Sequence, residues 1–191
     1  MELKKFMTSI DINKTILIGP TGFLGPSFLE LNPAWTAVGR SPLPSFLENN
    51  FIQISDSNDF KKLDKADFEY VIFLIGSSEH QVLNDWKNSS LALQKNVIPL
   101  FNFLSYLKKS DRSVKKVVAF TTMLQYDSNK MILPVSEDQP INKFTNQYVF
   151  SKSIAEQVTE FFRNDFPIID IRVSNVYGPT SLYRPDIVPS L

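Results

Sequence analysis

At 191 residues, with 43% hydrophobic and 21% charged residues, the chain suits one sizeable globular core and argues against two full domains, a fibrous repeat or a disordered chain. Twenty basic residues balance twenty acidic ones, so no net positive field draws in nucleic acid or an anionic membrane surface. With no cysteine and a single histidine, His80, the chain lacks disulfides, thiolate nucleophiles and the usual nitrogen and sulfur ligands of a metal site.

Met1 to Lys14 interleaves Glu2, Lys4, Lys5, Asp11 and Lys14 with isolated apolar residues and so lacks the uninterrupted apolar core of a signal peptide, and no stretch approaches the ~20 apolar residues of a bilayer span. A cytoplasmic protein with one domain over 1–191 is expected. Thr15-Ile-Leu-Ile18 reads as the first strand. It runs into Gly19-Pro20-Thr21-Gly22-Phe23-Leu24-Gly25, ahead of a helix over 22–31. Glycines between a strand and a helix permit a tight turn, close approach of backbone N–H groups to a pyrophosphate, and contact between helix and strand. The spacing is G-x-x-G-x-x-G, and a plain turn would also account for it. Pro26 is harmless at a helix start, where its missing N–H has no partner to lose.

Thr36 to Val38 reads as the second strand, followed by Gly39-Arg40-Ser41. A dinucleotide-binding fold specific for NAD usually places an acid here against the ribose 2′-hydroxyl. Arg40 could pair with a 2′-phosphate instead, which leans the reading towards NADP over NAD, or it could be a solvated arginine at a strand end. Phe51 to Ile54 and Tyr70 to Ile75 are the third and fourth strands, with a short helix over Phe60 to Leu63 between them. Several of these runs are continuously apolar, as in strands covered on both faces. A helix is expected from Glu79 to Lys109, kinked near Asn96 by Pro99. Trp35, Trp86 and most of the 16 phenylalanines read as packing, and His80 as a surface or capping residue.

The fifth strand, Lys116 to Thr121, exits at Thr121-Thr122. This is the carboxyl edge of a parallel sheet, where open α/β folds bind ligands, so Thr122 is a candidate partner for a substrate oxygen; a β-branched residue closing a strand is the plainer account. Tyr126 to Gln147, broken by Pro134 and Pro140, reads as a loop. The helix over Asn146 to Asn164 places Ile154, Ala155, Val158, Phe161 and Phe162 on one apolar stripe, with Glu156, Gln157, Glu160 and Arg163 away from it. At its start Tyr148 and Lys152 are four apart and share a face. An adjacent ammonium favours tyrosinate and suits the pair to acid–base chemistry on an alcohol. Tyr126 and Lys130 repeat the spacing, so context and not spacing marks the first pair. With Ile168 to Val173 as a sixth strand, the rhythm predicts an α/β fold: a doubly wound, Rossmann-type parallel sheet with helices on both faces.

Taken in order, these segments resemble the extended short-chain dehydrogenases/reductases, also described as NAD-dependent epimerase/dehydratase proteins. Gly19 to Gly25 resembles that family's T-G-x-x-G-x-x-G, with Ile18 in place of the Thr, and Val71 to Gly76 its fourth strand, which passes under the cofactor. Gln94-Lys-Asn96-Val97 resembles the N-V-x-G-T helix, and Phe120-Thr-Thr122 followed by Tyr126 the strand with the catalytic Ser or Thr. Glu137-Asp-Gln-Pro140, Tyr148-Val-Phe-Ser-Lys152 and Arg172-Val-Ser-Asn175-Val-Tyr-Gly-Pro179 follow in the family's order.

The resemblance implies Tyr148 as acid/base, Lys152 to lower its pKa and hold the nicotinamide ribose, and Thr122 to bind the reacting oxygen. It implies a cofactor site of Gly19, Thr21, Gly22, Phe23, Leu24, Gly25, Arg40, Ser41, Leu74, Ile75, Gly76 and Asn96, completed by Tyr148 and Lys152, with Asn175 near a substrate diphosphate. The implied activity is hydride transfer or epimerisation on a nucleotide-linked sugar, and a homodimer formed through the Tyr/Lys helix. Met123-Leu124 stand where the family's dehydratases carry an Asp-Glu pair, which argues against 4,6-dehydration. Pro99 replaces a small residue and puts a shift on Asn96. The chain stops at Leu191, where family members continue into a substrate lobe, so 180–191 would be only that lobe's beginning. A non-catalytic dinucleotide-binding module, an inactive fragment, and a reductase of a smaller carbonyl remain as alternatives.

Overall fold

The computed structural model describes residues 12–56, 59–77, 90–127, 129–141, 144 and 146–176. Six strands in these residues form one parallel sheet: β1 (Thr15–Ile18), β2 (Thr36–Gly39), β3 (Phe51–Gln53), β4 (Tyr70–Phe73), β5 (Lys116–Thr122) and β6 (Ile168–Val173). Their order across the sheet is β3-β2-β1-β4-β5-β6. The chain thus winds outward from β1 in one direction and then, from β4, in the other. Ligands of doubly wound sheets bind at this reversal, above the carboxyl ends of β1 and β4.

The helices among the described residues are α1 (Gly25–Leu31), α2 (Leu91–Asn96), α3 (Ile98–Lys109) and α4 (Gln147–Phe162). Alternation along the strands divides the interior into two cores. Ile16, Ile18, Val71, Phe73 and Val117 meet Phe103, Leu104 and Leu107 of α3 and Ala155 and Phe162 of α4. Leu17, Ile72 and Val118 face the other way, onto Leu29 of α1 and Trp35, with Phe28 and Phe120 packed alongside. The expected coverage of both sheet faces is therefore present. Trp35 stacks on Phe28 at 6.2 Å between ring centroids, in keeping with its expected packing role.

Several boundaries differ from the sequence expectation. β3 ends at Gln53 and β4 at Phe73, because Ile54, Leu74 and Ile75 are apolar but already belong to the loops along the sheet edge. Gly22 to Leu24 form the turn before α1, and Phe60–Leu63 is a single 3-10 turn. Pro99 causes a break rather than a kink: α2 ends at Asn96, Val97 interrupts, and Pro99 sits in the first turn of α3, where no N–H is required of it. The expected helix segment 79–89, with His80 and Trp86, lies outside the described residues, as do residues 177–191, including the Tyr-Gly-Pro end of the last motif and 180–191.

The apolar stripe of α4 is also corrected. Phe161 is 67% exposed although it adjoins the buried Phe162, whereas Glu156 is only 9% exposed. A helical wheel marks faces but not partners, and Arg172 of β6 draws the Glu156 carboxylate inward. Phe46, Phe101, Phe144 and Phe150 are exposed too, so the phenylalanines do not all fill the core.

Candidate functional site

The glycine turn after β1 has two kinds of glycine. Gly19 has φ +90°, and a Cβ there would lie 2.9 Å from the Ile75 backbone nitrogen. A Cβ on Gly25 would lie 2.1 Å from the Pro20 carbonyl oxygen, so the close crossing of α1 over the turn forbids any side chain. Gly22 differs, since among the described residues its Cβ would meet only the Gly19 carbonyl oxygen, at 3.6 Å. The fold does not require a glycine there. Gly22 and Thr21 are exposed, and Phe23 and Leu24 half-buried, along the sheet's carboxyl edge.

Next to this turn, Leu74 donates its N–H to the Ile18 carbonyl oxygen at 2.8 Å, continuing the β1–β4 ladder past the strand ends. Leu74 packs into one core and Ile75 into the other, which leaves Gly76 exposed between them and the helices. A Cβ on Gly76 would lie 3.0 Å from Asn96 Oδ1 and 3.2 Å from Lys152 Nζ. Gly76, Asn96 and Lys152, separate in sequence, thus converge at one place.

Asn96 is 3% exposed, and both ends of its amide are engaged: Oδ1 accepts from the Ser77 N–H at 2.6 Å, and Nδ2 donates to Ser151 Oγ at 2.8 Å. Ser151 Oγ donates in turn to the Tyr148 carbonyl oxygen at 2.8 Å. The expected shift caused by Pro99 is resolved by the break at Val97, which lets Asn96 tie the β4 exit to the first turn of α4. That turn is capped by Asn146, whose Oδ1 accepts from the Val149 N–H at 2.9 Å. Tyr148 and Lys152 project from this capped end. Lys152 Nζ donates to the Phe120 carbonyl oxygen on β5 at 3.0 Å, and burial of the ammonium lowers its pKa to about 8.

Thr122 ends β5, is 4% exposed, and its Oγ1 accepts from the Leu124 N–H at 3.3 Å, so the hydroxyl sits on the 3-10 turn over Met123–Gln125. Arg40 and Ser41 are exposed beyond β2, where Gln53 Nε2 donates to the Arg40 carbonyl oxygen at 3.0 Å. Asn175 is exposed just past β6. All the expected site residues therefore lie along the carboxyl edge of the sheet. Lys152, Gly76 and Asn96 are in direct proximity, while Arg40 and Asn175 stand at the flanks. Tyr126, whose spacing to Lys130 copies the Tyr148–Lys152 pair, is 7% exposed with its hydroxyl bound by Arg172 Nη1 at 2.5 Å.

Sequence reasoning missed Gln125, Glu156 and Asp170. The last lies on β6 with its side chain 7% exposed, and its Oδ2 accepts from Thr159 Oγ1 at 2.8 Å and Arg163 Nη2 at 3.0 Å. Burial raises its carboxyl to about 6 despite the Thr159 hydroxyl. The folded protein then keeps a proton that an unfolded aspartate has lost above roughly pH 4. The associated stability is fully present below that pH and is lost as pH rises through about 6, a change of about 3 kcal/mol. Denaturant melts across this range should show the fall in wild type and a flatter profile in Asp170→Asn; equal slopes in both would remove Asp170 as the titrating group.

Comparison with known proteins gives a family model described as NAD dependent epimerase/dehydratase, which matches residues 15–189. No curated protein matches. Among solved structures, the Bordetella bronchiseptica enzyme WbmH in complex with NAD+ is similar at 22% identity and a TM-score of 0.67, over 87% of this chain and 57% of that one. WbmG of the same organism, in complex with NAD and UDP, is similar at 23% identity and 0.65, over 87% and 54%. A UDP-N-acetylglucosamine 4-epimerase from Methanobrevibacter ruminantium M1, in complex with UDP-N-acetylmuramic acid, is similar at 17% and 0.72, over 93% and 59%. The chain spans less than two thirds of the length of each. No helix of the described residues is long and apolar enough to cross a membrane.

Proposed function

The chain belongs to the NAD dependent epimerase/dehydratase family, and from that membership we propose that it binds a nicotinamide dinucleotide and acts as an oxidoreductase or epimerase on a nucleotide-linked sugar. The observation that carries the reading is the meeting of Lys152 Nζ, Gly76 and Asn96 beside a glycine turn whose middle glycine has no packing duty. Gly22 and Gly76, which carry no side chains, would flank its pyrophosphate and nicotinamide halves. WbmH and WbmG, named with NAD, and the 4-epimerase, named with a UDP-linked ligand, support the ligand classes.

A bound nicotinamide supplies reversible hydride exchange with a substrate carbon. The chain's own residues then handle the proton and the position. Tyr148 would move the proton at the substrate oxygen, Lys152 would hold a positive charge near the phenol, and Thr122 would donate its hydroxyl hydrogen to the same oxygen. The low pKa of Lys152 keeps its charge responsive to what binds beside it. Met123 and Leu124 offer no carboxylate on this turn, which favours oxidation, reduction or epimerisation over dehydration. A homodimer would cover the exposed Phe101 and Phe161 of α3 and α4.

Titrating the protein with NADPH and with NADH, followed by nicotinamide fluorescence, tests the cofactor half, and incubation with UDP-linked sugars tests turnover. Binding without turnover would assign a dinucleotide-binding module; no binding of either would end the enzyme reading. Arg40 leans the site towards NADP. Arg40→Asp should weaken NADP binding by about tenfold to a hundredfold, the value of a charge-assisted hydrogen bond, and leave NAD binding within about threefold. Equal losses for both dinucleotides would show that Arg40 does not read the 2′ position.

A further inference from the structure

We propose that Gln125 and Glu156 are positioning residues that hold the Thr122 strand exit against the helix bearing Tyr148 and Lys152; this rests on the catalytic reading above. Gln125 is fully buried in the 3-10 turn that follows Thr122. Its Oε1 accepts from Ser153 Oγ at 2.7 Å, and its Nε2 donates both to the Thr122 carbonyl oxygen at 3.1 Å and to Glu156 Oε2 at 2.9 Å. Ser153 adjoins Lys152, and Glu156 lies one turn further along α4. One amide therefore joins Thr122's own backbone to two points of the helix.

The Glu156 carboxylate is locked from the other side. Arg172 of β6 donates Nε to Glu156 Oε1 at 3.0 Å, closes a second bond to that oxygen through Nη2, and sends Nη1 to the Tyr126 hydroxyl at 2.5 Å and the Glu137 carbonyl oxygen at 3.0 Å. Burial pushes the Glu156 carboxyl up, but the bonds from Arg172 and Gln125 outweigh it and hold it below its ordinary value. The relay thus joins β5, α4, β6 and the loop after β5. Apolar cores already hold sheet and helices together. What the relay adds is direction: every bond fixes an orientation, and its end point is the backbone of the residue proposed to touch the reacting oxygen. A misplacement of about 1 Å at such a group costs roughly a hundredfold in rate.

The test compares Gln125→Met, which keeps length and loses the amide, with Glu156→Gln and the exposed control Gln157→Met, using UDP-glucose as the first substrate probe. Gln125→Met should lower kcat by about tenfold to a hundredfold while KM and dinucleotide affinity stay within about threefold, and Gln157→Met should change none of them. Glu156→Gln, which keeps the shape and removes the charge, carries the same expected split if Gln125→Met fails to fold. A variant with lowered melting temperature and intact kcat would overturn the proposal and leave the relay as a brace. If the wild type turns over no UDP-linked sugar, the catalytic reading fails separately, and hydrogen exchange at the Leu124 amide decides the positioning claim. Exchange about tenfold faster in Gln125→Met than in wild type supports it, and unchanged exchange overturns it.

Discussion

Tyr148→Phe is expected to lower turnover of a nucleotide-linked sugar by about a thousandfold, with dinucleotide affinity within about threefold of wild type. The substitution removes one hydroxyl and no apolar contact of the ring, so neither the Asn146 cap nor the Ser151 contact to the Tyr148 carbonyl is disturbed. General acid–base groups contribute about a hundredfold to ten-thousandfold, and the proposed function assigns that contribution to the Tyr148 hydroxyl. Lys152 remains anchored to the Phe120 carbonyl and is unaffected by the loss. Product chromatography with UDP-linked sugars, together with nicotinamide fluorescence for binding, separates the two effects. Wild-type turnover in Tyr148→Phe would remove this residue from the proton transfer, and a parallel loss of affinity would make it a binding residue instead.

The second large effect is expected at the glycine turn, where two glycines three residues apart should fail in different ways. Gly22→Val sets its Cβ 3.6 Å from the Gly19 carbonyl oxygen, an ordinary van der Waals contact, so the melting temperature should barely move. The same side chain would occupy the approach proposed for the pyrophosphate, and dinucleotide affinity should fall by about a hundredfold or more. Gly25→Ala adds only a methyl group, yet drives it to 2.1 Å from the Pro20 carbonyl oxygen, a backbone atom that cannot swing aside. Roughly 3 kcal/mol or more of stability should be lost, as in overpacked cores. Calorimetry and fluorescence titration on both variants make the comparison. Affinity unchanged in Gly22→Val would take the turn out of the cofactor site, whatever Gly25→Ala does.

The strands, the parallel α/β architecture and the Tyr148–Lys152 pair were legible in the chain because each depends on neighbours in sequence. Continuous apolar runs such as Tyr70–Phe73 identify strands buried on both faces, and a four-residue spacing at a helix start puts two side chains on one face whatever surrounds them. The glycine turn was visible for the same reason. Which of its glycines packing requires was not, because Gly25 is dictated by the Pro20 carbonyl across the turn and Gly19 by the Ile75 backbone more than fifty residues on.

Contacts of that second kind were decided only by tertiary structure. Glu156 reads as solvent-facing on a helical wheel and is buried because Arg172, on a strand sixteen residues later, meets it there. Gln125 carries no pattern at all, yet it joins Thr122 to α4. Asn96 fits a motif, but its partners Ser77 and Ser151 lie nineteen and fifty-five residues away and become neighbours only when β4 and α4 pack together. Periodicity reports the average environment of a residue over one or two turns, whereas a buried hydrogen bond depends on a single partner brought in from elsewhere in the chain.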